Sequence, residues 1–231
     1  SARLDGLKPV LRPMRAVHWI AGYEYGNPET WLHARVETYR KTYSQLPLEE
    51  GDAFTSNGFG AAQGADVYVQ RQWTKLGLRA SYAYVDAWRR WTPHEQRQRF
   101  TIPSGAWRPD FWIPHSLTLA GTFNPTPRIA LGLAYSSASG RPATPVTAAI
   151  ETAQGFVPVY GAINSDRLPR YERVDLSSSY RRRSLIYILG VSNILARENA
   201  FEYAYSRDYS EKRPVVSAAP RSVYVALTWT K

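Results

Sequence analysis

The chain of 231 residues has no cysteine, one methionine and no long hydrophobic run. Without cysteine it can form no disulfide and carries no thiol nucleophile, and an envelope protein needs neither. No segment approaches the roughly 20 consecutive apolar residues that a membrane helix requires, and the mean hydropathy is −0.41. Helical membrane proteins are thereby excluded. A transmembrane β-barrel is not, because its strands are apolar only at alternate positions.

Lysine is also scarce, so the net charge of +10 comes mostly from arginine. A basic balance suits nucleic-acid binding, since cations neutralise phosphates and release counterions. The arginines are scattered, however, through loops, alternate strand positions and a turn at residues 181–183, with no helix to carry them into a groove. We therefore expect no nucleic-acid partner, and favour a basic lumen or contacts with anionic lipid headgroups.

What the chain has in excess is aromatic residues, at 13% of the sequence, and segments that alternate large apolar side chains with small or polar ones. The last segment is typical of them. A β-strand places alternate residues on opposite faces, and the odd residues of this segment as far as Trp229 are all apolar. We predict that this face contacts lipid and consists of Val223, Val225, Leu227 and Trp229.

Nine such segments are separated by gaps that are alternately short and long. They cover residues 15–25, 31–43, 64–73, 76–88, 115–123, 128–136, 171–180, 185–194 and 223 onwards. Ten residues tilted by about 40° rise about 25 Å, which matches the apolar band of a membrane barrel. The pattern predicts an all-β, antiparallel transmembrane β-barrel in a bacterial outer membrane, with the short turns on the periplasmic side and the long loops outside.

Nine is an awkward number of strands, because single-chain bacterial barrels have even counts with both termini inside. This chain would start outside the cell, as a mature chain, a processed fragment or an engineered piece without its signal peptide. Its two edge strands would lack partners, and unpaired backbone groups in hydrocarbon each cost several kcal/mol. We therefore expect about nine or ten C-terminal strands of a larger barrel, completed by another chain.

Six local motifs, in order along the chain, resemble the C-terminal half of TonB-dependent outer-membrane receptors. Three of them are LKPVLRPMRAVHWIAGYEYG at residues 7–26, GFGAAQGADVYVQR at 58–71 and SGRPATPV at 139–146. The others are RYERVDLSSSYR at 170–181, GVSNIL at 190–195 and PRSVYVALTW at 220–229. The sequence is thus identified as similar to this family over most of its length.

The resemblance implies a 22-stranded barrel with an N-terminal plug, which imports a scarce bulky ligand with energy from a TonB-type transducer. No plug domain and none of the earlier strands match within residues 1–231, so we expect a second chain to carry them. The family's chains usually end on an aromatic residue, whereas Trp229 is followed by Thr230 and Lys231. The ligand class stays open between siderophore, cobalamin, haem, glycan and peptide.

One loop region combines arginines with aromatic side chains, a combination that suits stacking on sugar rings, aromatic chelators or anionic ligands. We interpret its flanking Trp88 and Trp112 as an aromatic girdle that also contacts lipopolysaccharide phosphates. The candidate ligand-binding residues of this loop are Arg89, Arg90, Trp91, Trp107 and Arg108. On strand seven, Arg173 and Asp175 share one face and predict a network in the lumen wall.

No catalytic motif is present, so we expect no enzyme: there is no zinc-binding His-Glu-x-x-His and no glycine-rich phosphate loop. The four histidines lie on different segments without metal-ligand spacing, which predicts no metal site. Glu49, Glu50 and Asp52 could attract Ca²⁺, but a solvated acidic loop is the favoured interpretation, and we expect no cofactor.

Two other classes of protein remain open. One is a passive porin-like channel or small outer-membrane barrel, including a barrel hydrolase, for which no Ser/His/Asp set can be assembled on one strand face. The other is a soluble β-protein or adhesin with an aromatic-rich binding face, which would leave its apolar rows exposed to water. Dependence on detergent separates the soluble class from the membrane classes.

Overall fold

The computed structural model describes residues 11–27, 31–50, 53–90 and 107–229, and every regular element in them is a β-strand. The first six strands are β1 (Arg15–Tyr25), β2 (Leu32–Glu50), β3 (Ala53–Gln72), β4 (Leu76–Arg90), β5 (His115–Thr126) and β6 (Ile129–Ala138). Four strands follow in one long connection: β7 (Pro142–Ala143), β8 (Val146–Thr152), β9 (Gly155–Tyr160) and β10 (Asp166–Arg167). The remainder are β11 (Tyr171–Arg182), β12 (Leu185–Ser192), β13 (Ala200–Tyr205), β14 (Lys212–Val216) and β15 (Ser222–Trp229).

Nine of these strands form one antiparallel sheet in the order β1-β2-β3-β4-β5-β6-β11-β12-β15. These are the nine strands that the alternation predicts, and the structure confirms the all-β antiparallel fold. Four tight connections, after β1, β3, β5 and β11, lie at one end, which we call the turn end. The longer excursions lie at the opposite end, which we call the loop end.

The register places the predicted apolar rows on a single face that is continuous across the sheet. At mid-height this face is a row of neighbouring apolar residues on successive strands, made by the pairs Val36–Val67, Val67–Tyr82 and Tyr82–Leu117. Further across the sheet Leu133 pairs with Leu176. The predicted lipid-facing residues of β15 join this face through the pairs Val223–Val191, Val225–Leu189, Leu227–Tyr187 and Trp229–Leu185. Leu133, in the middle of the sheet, is 52% exposed, so none of the described residues covers the face there.

The opposite face carries polar and small residues. Near the turn end His33 is 7% exposed and its Nε2 lies 2.6 Å from Oε1 of Glu24. On the last hairpin the ring of Tyr224 lies against Gly190, in the space that a Cβ atom would occupy. A glycine here lets the neighbouring strand's aromatic side chain cover the backbone.

The sheet is open, because β1 and β15 each pair with one neighbour and not with each other. All residues of β1 and β15 are exposed. Unpaired edges of this length are templates for further strands. Among the described residues, no helix is long and apolar enough to cross a membrane.

The loop end contains more regular structure than the sequence predicts. The gap at residues 44–63 is a continuation of β2 and β3, which pair beyond the band with irregular register near Leu46. The gaps at 137–170 and 195–221 contain the hairpins β8–β9 and β13–β14 and the short pair β7–β10. The alternation does not reveal these strands within the predicted long loops, because they pair only with each other and are too short or irregular to show it.

The single apolar face generates a stability prediction for a membrane-inserted sheet. Leu133→Arg places a charge on that face at mid-sheet and should lower the free energy of unfolding by about 2–4 kcal/mol. Ala134→Arg is the matched control, because its side chain points to the polar face, where the neighbouring residue on β11 is Asp175. Urea unfolding of the protein in lipid vesicles, followed by tryptophan fluorescence, measures both; equal losses would contradict the assignment of faces.

Candidate functional site

The candidate site lies at the loop end, where the chain returns from its second long connection. Trp107 pairs with Arg89 at the end of β4, and each backbone amide donates to the other's carbonyl over 2.9 Å. The indole nitrogen of Trp112 donates to the carbonyl of Val85 over 2.9 Å. These bonds hold residues 107–112 against the outer end of β4 and place its arginines beside aromatic rings.

Arg89 forms the first of two arginine–aromatic contacts. Its guanidinium carbon lies 5.3 Å from the ring centre of Tyr43 and 5.0 Å from that of Phe111. Arg89 follows Val85 and Ala87 on the polar face, so this contact lies on the polar side of the sheet. Cation–π contacts of this kind are worth about 0.5–1 kcal/mol at exposed sites and fix the orientation of the guanidinium.

Arg108 and Arg167 form the second contact, on Trp112. Their guanidinium carbons lie 4.3 Å and 4.1 Å from the indole centre. Arg108 is also paired with the carboxylate of Asp86 and donates to the carbonyl of Ala87 over 2.8 Å. The guanidinium of Arg167 donates to the carbonyl of Gly140 over 2.9 Å and has no carboxylate partner in the described part of the chain, while its backbone amide donates to Oδ1 of Asp166 over 2.7 Å.

The electrostatics of Arg167 distinguish it from its neighbour. Partial burial lowers its pKa, and the positive charge of Arg108 lowers it further. An arginine nevertheless remains charged under all physiological conditions. Arg167 is therefore a cation next to an aromatic ring whose burial and repulsion from Arg108 are not compensated. An arrangement of two guanidinium groups on one indole with a single carboxylate can bind an anion, especially one with an aromatic ring that stacks.

The outer connections are fastened to one another. Asn164 Nδ2 donates to the carbonyl of Arg108 over 2.7 Å and to Oδ1 of Asp110 over 2.8 Å. The hairpin β13–β14 is held by Tyr203, whose hydroxyl donates to the carbonyl of Arg167 over 2.9 Å, and by an ion pair between Lys212 and Asp166. Residues 107–114, the β6–β11 connection and β13–β14 therefore form one interlocked cap around Arg167.

Arg173 and Asp175, which the sequence predicts to share a face, lie on β11 and form an ion pair. Arg173 Nη2 lies 2.9 Å from Asp175 Oδ2. The other oxygen of Asp175 accepts a 2.8 Å hydrogen bond from the backbone amide of Asn193. Asn193 is 5% exposed and donates through Nδ2 to the carbonyls of Arg197 and Pro220, over 2.9 Å and 2.7 Å. The pair thus anchors the connection between β12 and β15 to the wall.

The structure brings together some of the predicted ligand-binding residues and not others. Arg89 and Trp107 are hydrogen-bonded, while Arg108 belongs to the neighbouring cluster on Trp112. Arg90 lies at the end of β4 opposite Phe59. Trp91 and Asp52 lie outside the described residues. Within the described residues, no three histidine or acidic side chains come close enough to hold a metal ion.

Sequence reasoning missed three residues that the fold adds to this end: Tyr43, Arg167 and Lys212. Tyr43 is the last residue of a predicted strand and Arg167 lies in a long connection, so neither is close in sequence to the residue it contacts. Only the alternating pattern of β2 could have placed Tyr43 on the face that Arg89 shares. No local signal links Arg167 to Trp112.

The geometry defines the class: a long-stranded antiparallel sheet with one apolar face, tight turns at one end and an ordered cap at the other is part of an outer-membrane-type β-barrel. The chain belongs to the family described as TonB dependent receptor-like, beta-barrel, whose model matches residues 3–194. This family consists of receptors and transporters of the bacterial outer membrane. Among curated proteins, nothing matches the sequence significantly.

Solved structures of larger barrels share the fold. The ferric-catecholate import receptor Fiu of E. coli matches with a TM-score of 0.64 and 14% identity, over 95% of this chain and 28% of its own. The FrpB iron transporter of Neisseria meningitidis gives 0.63 and 13%, over 95% and 32%. The siderophore receptor PiuA of Acinetobacter baumannii gives 0.63 and 14%, over 93% and 28%. The chain therefore spans about a third or less of these proteins.

The buried asparagine yields a prediction for the wall. Asn193→Ala removes its two donated bonds and leaves two carbonyls unpaired, which should cost about 1–3 kcal/mol. Asn193 has a φ of 52°, so alanine adds about 1–2 kcal/mol of backbone strain that glycine avoids. We expect Asn193→Gly to lose less stability than Asn193→Ala. Hydrogen exchange across residues 193–199 checks both variants, and wild-type protection in each would refute the role of this side chain.

The ion pair between the outer connections predicts a pH dependence. The hydrogen bond from Lys212 lowers the pKa of Asp166, and the same bond raises the pKa of Lys212. The stability that Asp166 contributes is present above the pKa of the unfolded state and is lost as pH falls through the lowered pKa of the folded state. The stability that Lys212 contributes is lost only as pH rises through its raised pKa. The contact should therefore hold from about pH 4 to pH 10.

Hydrogen exchange in β13–β14 measures this contact. Lys212→Gln should speed exchange there modestly, because a half-exposed pair contributes no more than about 1 kcal/mol. Arg213→Gln is the matched control, since the ion pair of Arg213 is with Glu211 in the same hairpin. An equal effect of the two substitutions would show that Lys212 does not hold the hairpin to β10.

Proposed function

We propose that this chain supplies the C-terminal wall and outer loops of a TonB-dependent receptor that imports a scarce, bulky ligand across the bacterial outer membrane. The single observation that carries the proposal is the apolar face, which continues through all nine strands of the main sheet and is left uncovered by residues 11–27, 31–50, 53–90 and 107–229. In water such a surface would be an aggregation hazard, whereas lipid solvates it.

The open edges support a receptor completed by further strands. β1 and β15 have unpaired outer sides, and exposed strand edges do not persist in the hydrocarbon region. We propose that strands outside this chain close the barrel and that a plug fills its lumen, facing the polar side of the sheet. The transducer acts on the completed receptor, and the outer surface contacts lipid and lipopolysaccharide.

The ligand class that the outer cap suits best is an anionic, aromatic metal chelate. Arg167 is a cation against Trp112 with no carboxylate bound to its guanidinium among the described residues, and Arg108 lies on the same ring. Catecholate-type groups offer both negative charge and an aromatic face for such a site. Two of the similar structures are described as a ferric-catecholate import receptor and a siderophore receptor, which agrees with this choice.

Purification from outer membranes in mild detergent tests the architecture. We expect folded protein only in detergent, together with strands and a plug from the rest of the receptor, identified by mass spectrometry as the same or a second polypeptide. A protein that stays folded and monomeric without detergent would refute the membrane assignment. A barrel that closes from these nine strands alone would refute the import function.

Substitution at the cap tests the ligand class. Ferric catecholate, ferric hydroxamate and cyanocobalamin are titrated against the purified receptor while tryptophan fluorescence is followed. Arg167→Gln should weaken ferric catecholate binding about tenfold, the equivalent of one charge-assisted hydrogen bond of about 1.4 kcal/mol. Arg213→Gln removes a positive charge from an exposed hairpin and should bind as wild type. Binding of cyanocobalamin alone, unaffected by Arg167→Gln, would contradict this choice of ligand.

A further inference from the structure

The turn end of the apolar face carries a charged residue in a row where the register favours apolar ones. Arg71 pairs with Leu32 on one side and Leu78 on the other, and two positions along β3 the same face carries Val69. No carboxylate among the described residues pairs with Arg71. A cation on a lipid-facing surface is tolerated where its head reaches the headgroup layer, which places Arg71 at the membrane boundary.

Two tryptophans hold this guanidinium in place. Its central carbon lies 5.1 Å from the ring centre of Trp31 and 4.7 Å from that of Trp73. The backbone of both tryptophans is fixed: the carbonyl of Trp31 accepts a 2.8 Å bond from the amide of Gln72, and the amide of Trp73 donates to the carbonyl of Leu76 over 2.7 Å. Trp31 and Trp73 are 59% and 39% exposed, so the contact lies at the surface.

Within the described residues the Arg71 guanidinium contacts the two rings and makes no hydrogen bond or ion pair. The N–H groups of a guanidinium point outward in its own plane, while a ring is contacted through the face of that plane. Tryptophan itself prefers the interface between hydrocarbon and headgroups. Arg71 is therefore a pre-oriented donor fork at the depth where phosphate groups lie, with hydrocarbon on one side and water on the other.

Most of the other charges at the turn end are also positive, and the carboxylate of Glu24 near the end of β1 is already bonded to His33. The turns and adjoining strand ends carry cations that are all exposed, namely Lys75, Arg128, Arg181, Arg182 and Arg183. The one carboxylate in these turns is Glu29, which lies outside the described residues. A rim with this balance attracts anions, and each cation near a charged membrane surface adds about 1 kcal/mol of attraction.

We propose that the turn end binds anionic glycerophospholipids of the adjoining leaflet, with Arg71 holding the phosphate diester between Trp31 and Trp73. The orientation rests on the proposed function, in which the tight turns face the periplasm and the adjoining leaflet is built of phospholipid. The occupant is a lipid with net negative charge, such as phosphatidylglycerol, because the surrounding rim contributes further cations and would repel the ammonium group of a zwitterionic lipid.

Native mass spectrometry of the detergent-solubilised receptor tests this site. The protein is incubated with phosphatidylglycerol, phosphatidylethanolamine or lipid A, and bound lipid is counted as a function of concentration. We expect phosphatidylglycerol to bind most tightly. Arg71→Gln should weaken it about fivefold, the effect of removing one interfacial cation. Arg71→Lys keeps the charge without the planar fork and should lose less.

Arg79→Gln is the matched control. Arg79 follows Leu78, the residue on β4 that pairs with Arg71. It lies opposite Gln70 and faces the polar side of the sheet. It should leave phosphatidylglycerol binding unchanged, and far-UV circular dichroism confirms that each variant is folded. Equal losses in Arg71→Gln and Arg79→Gln would overturn the site in favour of a general charge effect.

Three other results would also overturn it: unchanged binding in Arg71→Gln, equal binding of phosphatidylethanolamine, or tighter binding of lipid A than of phosphatidylglycerol. Failure of the proposed function looks different. A protein that needs no detergent would remove the membrane assignment itself, whereas a detergent-dependent barrel that binds lipid unselectively, or binds none, would remove only this inference.

Discussion

The antiparallel register of the nine-stranded sheet is the constraint on which the rest of the structure depends. Each strand pairs with its neighbours so that alternate residues fall on the same face from β1 to β15. A slip of one residue anywhere would move a whole apolar row to the polar side. Because the backbone bonds are made inside the sheet, the strands between the two edges can lie in hydrocarbon without leaving backbone groups unpaired.

The cap at the loop end is built on the ends of these strands. It has almost no apolar core: Ile163 and Leu168 are buried, but most contacts are hydrogen bonds, ion pairs and cations on aromatic rings. Asn164 ties it to the carbonyl of Arg108, and Asp166 ties it to Lys212. Contacts of this kind fix geometry at a modest gain in stability, which suits a surface that must meet a ligand.

The two ends of the sheet therefore use arginine differently. At the loop end Arg108 and Arg167 share Trp112 in a partly buried cap, where one carboxylate leaves a net positive charge. At the turn end Arg71 is held by Trp31 and Trp73 on an exposed face, beside turns that carry further cations. In both places tryptophan rings orient an arginine guanidinium. The surrounding residues decide which anion that guanidinium binds.

The sequence by itself indicated the position of the main strands in the chain, their faces and the family, because strand alternation is a local property written into neighbouring residues; it did not show that β2 and β3 continue beyond residues 43 and 64. It indicated the loop between Trp88 and Trp112 and the pair of Arg173 with Asp175 for the same reason. Only the tertiary structure decided that Arg167 meets Trp112, that Tyr43 meets Arg89 and that Asn193 anchors the last connection. Those contacts join residues from separate connections, and their partners are set by how strand ends and hairpins pack, which no periodicity in the chain records.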